Sequence, residues 1–186
     1  MLNTFVVYVE NKPGVLTRVA SLFRRRAFNI DSLAVGRTER PQVSRITITV
    51  DADTDQARRI EANLYKLVEV LLVDNITSEP SILRDLAMIK VSVTPESRPH
   101  VMELVNVFRG RIVDVAPDSL IIEITGGEDK IDGLLEVLRP YGVLEMVRTG
   151  IVAMRRGSKG PAALPVSASS SEPERVVTDD SVSHSV

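Results

Sequence analysis

Cysteine is absent from the 186 residues. Disulfides, thiolate nucleophiles and cysteine-held metals are thereby excluded. Histidine is almost as scarce, with only His100 and His184. A histidine-based triad, a general base with an orienting partner or a multi-histidine metal site has almost nothing to draw on. Aromatic residues make up 4% of the chain. That works against an RNA-binding sheet, which needs exposed aromatics on its middle strands to stack bases. The formal net charge is −2, so no net basic field draws the chain onto nucleic acid or an anionic membrane. No apolar stretch approaches the roughly 20 residues of a membrane span. Met1-Leu2-Asn3-Thr4-Phe5 runs straight into a strand-like pattern, with no basic leader or apolar signal core. The expected location is therefore a bacterial cytoplasm.

What is present is a soluble-protein composition, 44% apolar, organised as two similar halves and a tail. Residues 157–186 are rich in Gly, Ser, Pro and Ala and carry no periodic apolar face. Such a segment does not offset the entropy of ordering, and it is expected to be disordered.

In the first half, Phe5, Val7 and Val9 alternate against Val6 and Tyr8, a strand over Thr4 to Glu10. Asn11-Lys12-Pro13-Gly14 breaks it. A helix follows with Val15, Val19, Leu22 and Phe23 on one face and Arg24, Arg25 and Arg26 in its last turn, where cations suit the helix dipole. Asn29 to Arg37 is a second strand. Val43 to Val50 is a third, with Ile46, Ile48 and Val50 on one side and Arg45, Thr47 and Thr49 on the other. Asp53 and Gln56 have the spacing of a capping box. The helix they open buries Ile60, Leu64 and Leu67, and a fourth strand covers Val70 to Thr77.

The second half repeats the order. Leu86 to Val93 is a strand, and Pro95 after Thr94 suits a first helical position. The helix shows Val101, Leu104, Val105 and Phe108. Strands over Ile112 to Val115 and Leu120 to Ile124 flank the turn Ala116-Pro117-Asp118-Ser119. A helix over Glu128 to Arg139 points Ile131, Leu135 and Leu138 inward, Pro140-Tyr141-Gly142 ends it, and Val143 to Met154 is the last strand. Phe23-Arg24-Arg25-Arg26 and Phe108-Arg109-Gly110-Arg111 stand at equivalent places, a local echo of duplication. The pattern βαββαβ, twice, is an α+β fold of two ferredoxin-like domains, 1–78 and 79–156. Each has both helices on one face of its sheet and leaves the other face open. Domains this small bury little apolar area alone, so association is expected.

Few residues carry chemistry. Gly126-Gly127-Glu128-Asp129 is explained as a strand-to-helix turn with acids in the first helical turn. Arg155-Arg156 with Lys159 reads as a solvated linker rather than a nucleic-acid patch. Asn11 to Val19 is site-like. The N–H groups of a helix start favour a carboxylate, Gly14 admits a ligand close to the backbone, and Asn11 can donate and accept. An ordinary capped turn would have the same residues.

The stretch reading Asn-x-x-Gly-Val-Leu-x-Arg-Val-x-x-Leu-Phe-x-x-Arg from Asn11, followed by Phe28-Asn29-Ile30-Asp31-Ser32-Leu33, resembles the ACT domain of acetolactate synthase regulatory subunits. Ser44-Arg45-Ile46-Thr47-Ile48 and Lys66-Leu67-Val68-Glu69-Val70 continue the likeness. In the second half, Phe108 to Val115, Ile122-Glu123-Ile124-Thr125-Gly126, Lys130-Ile131-Asp132 and Arg148-Thr149-Gly150 match as well. The resemblance spans about 155 residues in order and implies an N-terminal ACT domain with a C-terminal ACT-like domain. It further implies a non-catalytic regulatory subunit in branched-chain amino-acid biosynthesis. Such a subunit activates a catalytic large subunit and makes it sensitive to feedback inhibition by valine. Thiamine diphosphate, Mg and FAD are then expected only in that large subunit, with no catalytic or metal-ligating residue in this chain. The effector site is expected between the ACT domains of a homodimer, Asn11, Gly14 and Val15 on one wall and Asn29 and Ile30 on the partner's. The other reading is a free-standing ACT-type sensor controlling a different enzyme or gene expression. A chain catalytic by itself ranks third.

Overall fold

The computed structural model describes residues 1–157, and the expectation about the tail beyond Gly157 lies outside them. Two sheets form. The first comes from β1 (Leu2–Glu10), β2 (Ile30–Arg37), β3 (Val43–Asp51) and β4 (Val70–Asn75), with α1 (Val15–Arg25) and α2 (Thr54–Leu64) between them. The second comes from β5 (Ser81–Ser92), β6 (Arg111–Val115), β7 (Ser119–Gly126) and β8 (Val143–Arg148), with α3 (Arg98–Val107) and α4 (Glu128–Leu138), and a short β9 (Val152–Arg155) follows. Strand orders are β2-β3-β1-β4 and β6-β7-β5-β8. The second order is the first with each strand replaced by its counterpart, and all pairings are antiparallel. The chain is thus α+β, two ferredoxin-like units in tandem.

Period-two alternation places the first core. Phe5, Val7 and Val9 from β1 meet Ile46, Ile48 and Val50 from β3 on the helix side, under Val15, Val19, Leu22 and Phe23 of α1. Those four residues of α1 are the ones its 3.6-residue period predicts. Ala57, Ile60 and Leu64 of α2 close the layer. Leu67 packs there too, from the turn after the helix. The second core repeats this with Ala87, Ile89 and Val91 of β5, Leu120, Ile122 and Ile124 of β7, and Val101, Val105, Ile131, Leu134 and Leu138 from the helices.

The capping box forms. Gln56 N–H donates to the Asp53 carboxylate at 2.7 Å, and Asp53 N–H donates to Gln56 Oε1 at 2.9 Å. Asp53→Ala removes one partner of each bond, and about 1 kcal/mol of stability should go with it. For a chain of this size that is a fall of about 2–4 °C in melting temperature, readable by calorimetry.

Three local expectations need correction. Pro95 does not open α3, which starts at Arg98 after Ser97, with Pro99 in its first turn. Thr94 N–H donates to Ser97 Oγ at 2.8 Å and Ser97 N–H to Thr94 Oγ1 at 3.2 Å. This side-chain exchange closes a turn and delays the helix. Second, β5 begins at Ser81, five residues before Leu86, because its first four residues pair with β9. Third, the strand expected over Val143 to Met154 is two strands. β8 ends at Arg148, Gly150 turns the chain at φ 84°, and β9 continues.

The turn at Gly150 has a large consequence. The helix-free face of the first sheet, expected to be open, is covered. Val6, Thr47 and Thr49 are 2%, 2% and 0% exposed. Ala153 of β9 and Leu83 of β5 lie against Val6 and Tyr8, beside Ile76. Ile151 N–H donates to Ser32 Oγ of β2 at 2.8 Å, the Arg45 guanidinium of β3 donates to Ala153 O, and Arg155 pairs with Asp74 of β4 at 2.5 Å. The segment therefore crosses the sheet from one edge strand to the other. Four residues at about 3.3 Å each give about 13 Å, close to three inter-strand spacings of about 4.8 Å. The corner is fastened by Asp85, 3% exposed, which accepts from Arg148 at 2.6 Å and from the Thr149 hydroxyl at 3.1 Å.

Candidate effector site

The loop after β1 is tied to the β2–β3 connection. Asn11 N–H donates to Gln42 O at 2.7 Å, and Asn11 Nδ2 donates to Pro41 O at 3.0 Å. The Asn11 side chain is exposed, and because both bonds use N–H groups its amide oxygen is left to accept from a ligand. Gly14 is the N-cap of α1, at φ 83° and ψ −9°, a left-handed conformation that glycine adopts without penalty. No side chain caps this helix, and no acid occupies its first turn. A Cβ placed on Gly14 meets no atom within 4 Å, so the space before the helix start is open. Uncapped N–H groups, a positive dipole end and clear approach are what a small carboxylate needs. Arg18, one turn further, pairs with Glu69 at 2.5 Å and pins α1 beside the start of β4.

Val15 is 4% exposed, with its side chain in the core, so what it offers a ligand is backbone. The apolar side chain facing outward here is Leu16, 43% exposed. Sequence reasoning passed over it, although an apolar residue on the polar side of an amphipathic helix is a readable signal.

Asn29 is exposed, immediately before β2, and Ile30 is half-buried at the head of that strand, packed on the first core. β2 is an edge strand. Its register places Ile30 opposite Val50, whereas Glu10, just before the Asn11 turn, is opposite Val43. Seven residues of β3 separate those levels, about 23 Å at 3.3 Å per residue. One chain therefore brings Asn11, Gly14 and Val15 together, and places Asn29 and Ile30 at the far end of the same sheet.

Two residues past Ile30 the second unit touches β2. A cleft of about 360 Å³ lies between Asp31, Ser32 and Leu33 on one side and Asp85, Arg148 and Gly150 on the other. Burial works against the Arg148 cation. The Asp85 hydrogen bond and the charges of Asp85, Asp132 and Glu128 outweigh it and raise its pKa above the ordinary guanidinium value. This corner was missed as a functional element because its two sides are about 120 residues apart in sequence. His100 sits exposed on α3. Among the described residues no group of three or more acidic or histidine side chains could hold a metal, and no helix is long and apolar enough to cross a membrane.

Tandem ferredoxin-like units, the first with an open, uncapped helix start, define a regulatory module of the ACT class. Residues 5–72 match the family model described as AHAS small subunit-like ACT domain, and residues 84–157 match that described as small subunit of acetolactate synthase. A probable acetolactate synthase small subunit of Archaeoglobus fulgidus is 53% identical over 159 residues, 86% of this chain and 99% of that protein. The acetolactate synthase small subunit of Mycolicibacterium smegmatis is 45% identical over 161 residues, 87% of this chain and 95% of the relative. The crystal structure of the acetolactate synthase small subunit from Thermotoga maritima superposes with a TM-score of 0.80 at 42% identity, covering 86% of this chain and 99% of that one. The chain belongs to the acetolactate synthase small subunit family. A small subunit implies a catalytic large subunit as its partner, and a regulatory role toward it.

Proposed function

We propose that this chain activates the catalytic large subunit of acetolactate synthase and makes it subject to feedback inhibition by valine, through a site assembled from two copies of the ACT domain. The observation that carries the reading is the separation of the two candidate walls along β2. Two copies joined antiparallel along that edge strand would bring the Asn11 turn of each beside Asn29 and Ile30 of the other. The unpaired N–H and C=O groups of an edge strand favour such pairing, and a two-fold axis makes the contact self-complementary. In the assembled site the first-turn N–H groups of α1 take the carboxylate. The Asn11 and Asn29 amides and backbone carbonyls take the ammonium. Leu16 joins Ile30 in covering the isopropyl group.

On this reading the domain over residues 1–78 senses the effector, and that over 79–156 is a second regulatory unit. The chain brings no cofactor, thiamine diphosphate, Mg and FAD belong to the large subunit, and the complex works in the cytoplasm. Valine acts by binding one state of the complex more tightly than the other, with a coupling of about 1–3 kcal/mol. The test assays the purified large subunit with and without this chain, titrated with valine, leucine and isoleucine. Expected are a higher rate with the chain and a fall on adding valine. An unchanged rate and no response to any of the three would overturn the proposal and favour a free-standing sensor.

A further inference from the structure

The C-terminal ends of α1 and α2 come together on the first unit and leave a cavity of about 400 Å³ between them. Leu22 and Leu67, both packed on the first core, are its apolar part, and Arg25, Arg26, Asn63 and Lys66 are its polar part. Asn63, 9% exposed, donates to Arg59 O at 2.7 Å and accepts from Lys66 Nζ at 3.3 Å, so one cation is held in place. Arg24 adds a cation from the same turn of α1. Arg24, Arg25, Arg26 and Lys66 are all exposed, and none of them enters an ion pair among the described residues. Helix dipoles account for part of this charge. Each helix end carries about half a negative charge, so two ends offset about one cation. Val68, which follows Leu67 directly, is 91% exposed. Spare positive charge thus stands beside apolar surface. The complement is a segment with acids on either side of aliphatic residues.

This chain contains one. Glu172-Pro173-Glu174-Arg175-Val176-Val177-Thr178-Asp179-Asp180 carries four acids and one cation around two adjacent valines. We propose that this segment docks in the cavity of its own chain, its acids on the arginines and Lys66, and Val176 and Val177 against Leu67 and Val68. The reach fits. The described chain ends at Gly157, two residues past Arg155, which pairs with Asp74 of β4. β4 starts at Val70, three residues past Leu67. From Asp74 to Val70 is about 13 Å, and the step back to Leu67 adds at most about 10 Å. Residues 158–171 lie between Gly157 and Glu172. A coil of that length spans about 20 Å, and full extension gives about 48 Å. Tether and span therefore match, the condition under which a tethered ligand has its highest effective concentration. Docking through charge needs no core of its own, so it suits a segment without a periodic apolar face. Arg26 stands three residues before Asn29, so a docked segment would lie close to that candidate wall.

The proposal does not rest on the valine reading. Its test treats the full-length chain with a zero-length carbodiimide, which joins a carboxylate to a lysine amine only in contact. Lys66 is the reporter. Proteolysis and mass spectrometry should find Glu172, Glu174, Asp179 or Asp180 joined to Lys66, at least tenfold above the yield at Lys12, Lys90 and Lys130. These cross-links should disappear at about 1 M salt, where charges act over only about 3 Å. Arg25→Glu combined with Arg26→Glu should lower them at least tenfold, with far-UV circular dichroism checking the fold. Asp179→Asn with Asp180→Asn probes the same contact from the other side and should cut the Glu172 and Glu174 cross-links at least threefold. In a mixture of unlabelled and heavy-isotope-labelled chains, each cross-linked peptide should carry one label only. Mixed-label pairs would overturn docking within one chain. Carboxylates of 172–180 spread evenly over the lysines, or joined to none, would overturn the proposal altogether. So would a Lys66 joined only to the large subunit once that is added, which would assign the cavity to that partner.

Discussion

Gly14→Asp should abolish inhibition by valine and leave activation of the large subunit in place. The new carboxylate would stand at the N-cap of α1, where no side chain now caps the helix and no acid lies in the first turn. It would draw on the same N–H donors as the effector's carboxylate and oppose it in charge. Two unit charges about 4 Å apart near a protein surface repel by about 4 kcal/mol, roughly a thousandfold in affinity. Half of that would still lift the effector out of its working range. Folding is affected less. A built Cβ meets nothing within 4 Å, so the cost is conformational, from a side chain held at φ 83°. That is about 1 kcal/mol, since aspartate tolerates the left-handed region better than most residues. The melting temperature should fall by only about 2–4 °C. Asn29→His should act alike from the other wall, by removing an amide matched to polar groups of the ligand. Calorimetric binding of valine, measured beside an activity titration, decides the matter. Wild-type affinity and wild-type inhibition together would sink the assignment of the site.

The sequence made the layers legible because strand and helix periods are local properties. Val15, Val19, Leu22 and Phe23 repeat at helical spacing, and all four are buried. Ile46, Ile48 and Val50 alternate at strand spacing and face the helices. The capping box follows from Asp53 and Gln56 alone, because both of its bonds are closed within four residues. What stayed hidden was settled by competition or by distance. Two prolines, Pro95 and Pro99, compete to open α3, and the Thr94–Ser97 exchange decides for the later start. The run Val143 to Met154 is apolar enough for one long strand. Only the contact of its Gly150 with Ser32 shows why it must turn, and no local pattern encodes that. The candidate site was half legible. The Asn11–Gly14 turn has a local signature, whereas Asn29 and Ile30 acquire meaning only once register puts them at the other end of β2.

Gly150→Ala should weaken the join between the two units and, through it, the response to valine. Gly150 lies at φ 84°, and an added Cβ would stand 2.8 Å from Ser32 Oγ and 3.3 Å from Leu33 O. Neither neighbour is free to yield. Ser32 Oγ accepts the Ile151 N–H at 2.8 Å, and Leu33 O belongs to the backbone of β2, opposite Ile48. Left-handed strain of about 1–2 kcal/mol and overpacking of about 1–3 kcal/mol together give a loss of roughly 2–5 kcal/mol. The damage should fall on the corner rather than on either helix-side core, because Phe5 to Val50 and Ala87 to Ile124 lie on the opposite faces of their sheets. Differential scanning calorimetry should show a lower and broader transition as the two units lose cooperativity. The same corner touches β2 two residues after Ile30, so if valine binds as proposed, a shift of that strand head would be felt at Gly150 and Ile151. With the join loosened, valine should still bind, and its inhibition should become shallower, because binding can act on the large subunit only through states that differ in affinity. A Gly150→Ala chain with the parent's melting temperature and inhibition curve would show that the corner carries neither stability nor signal.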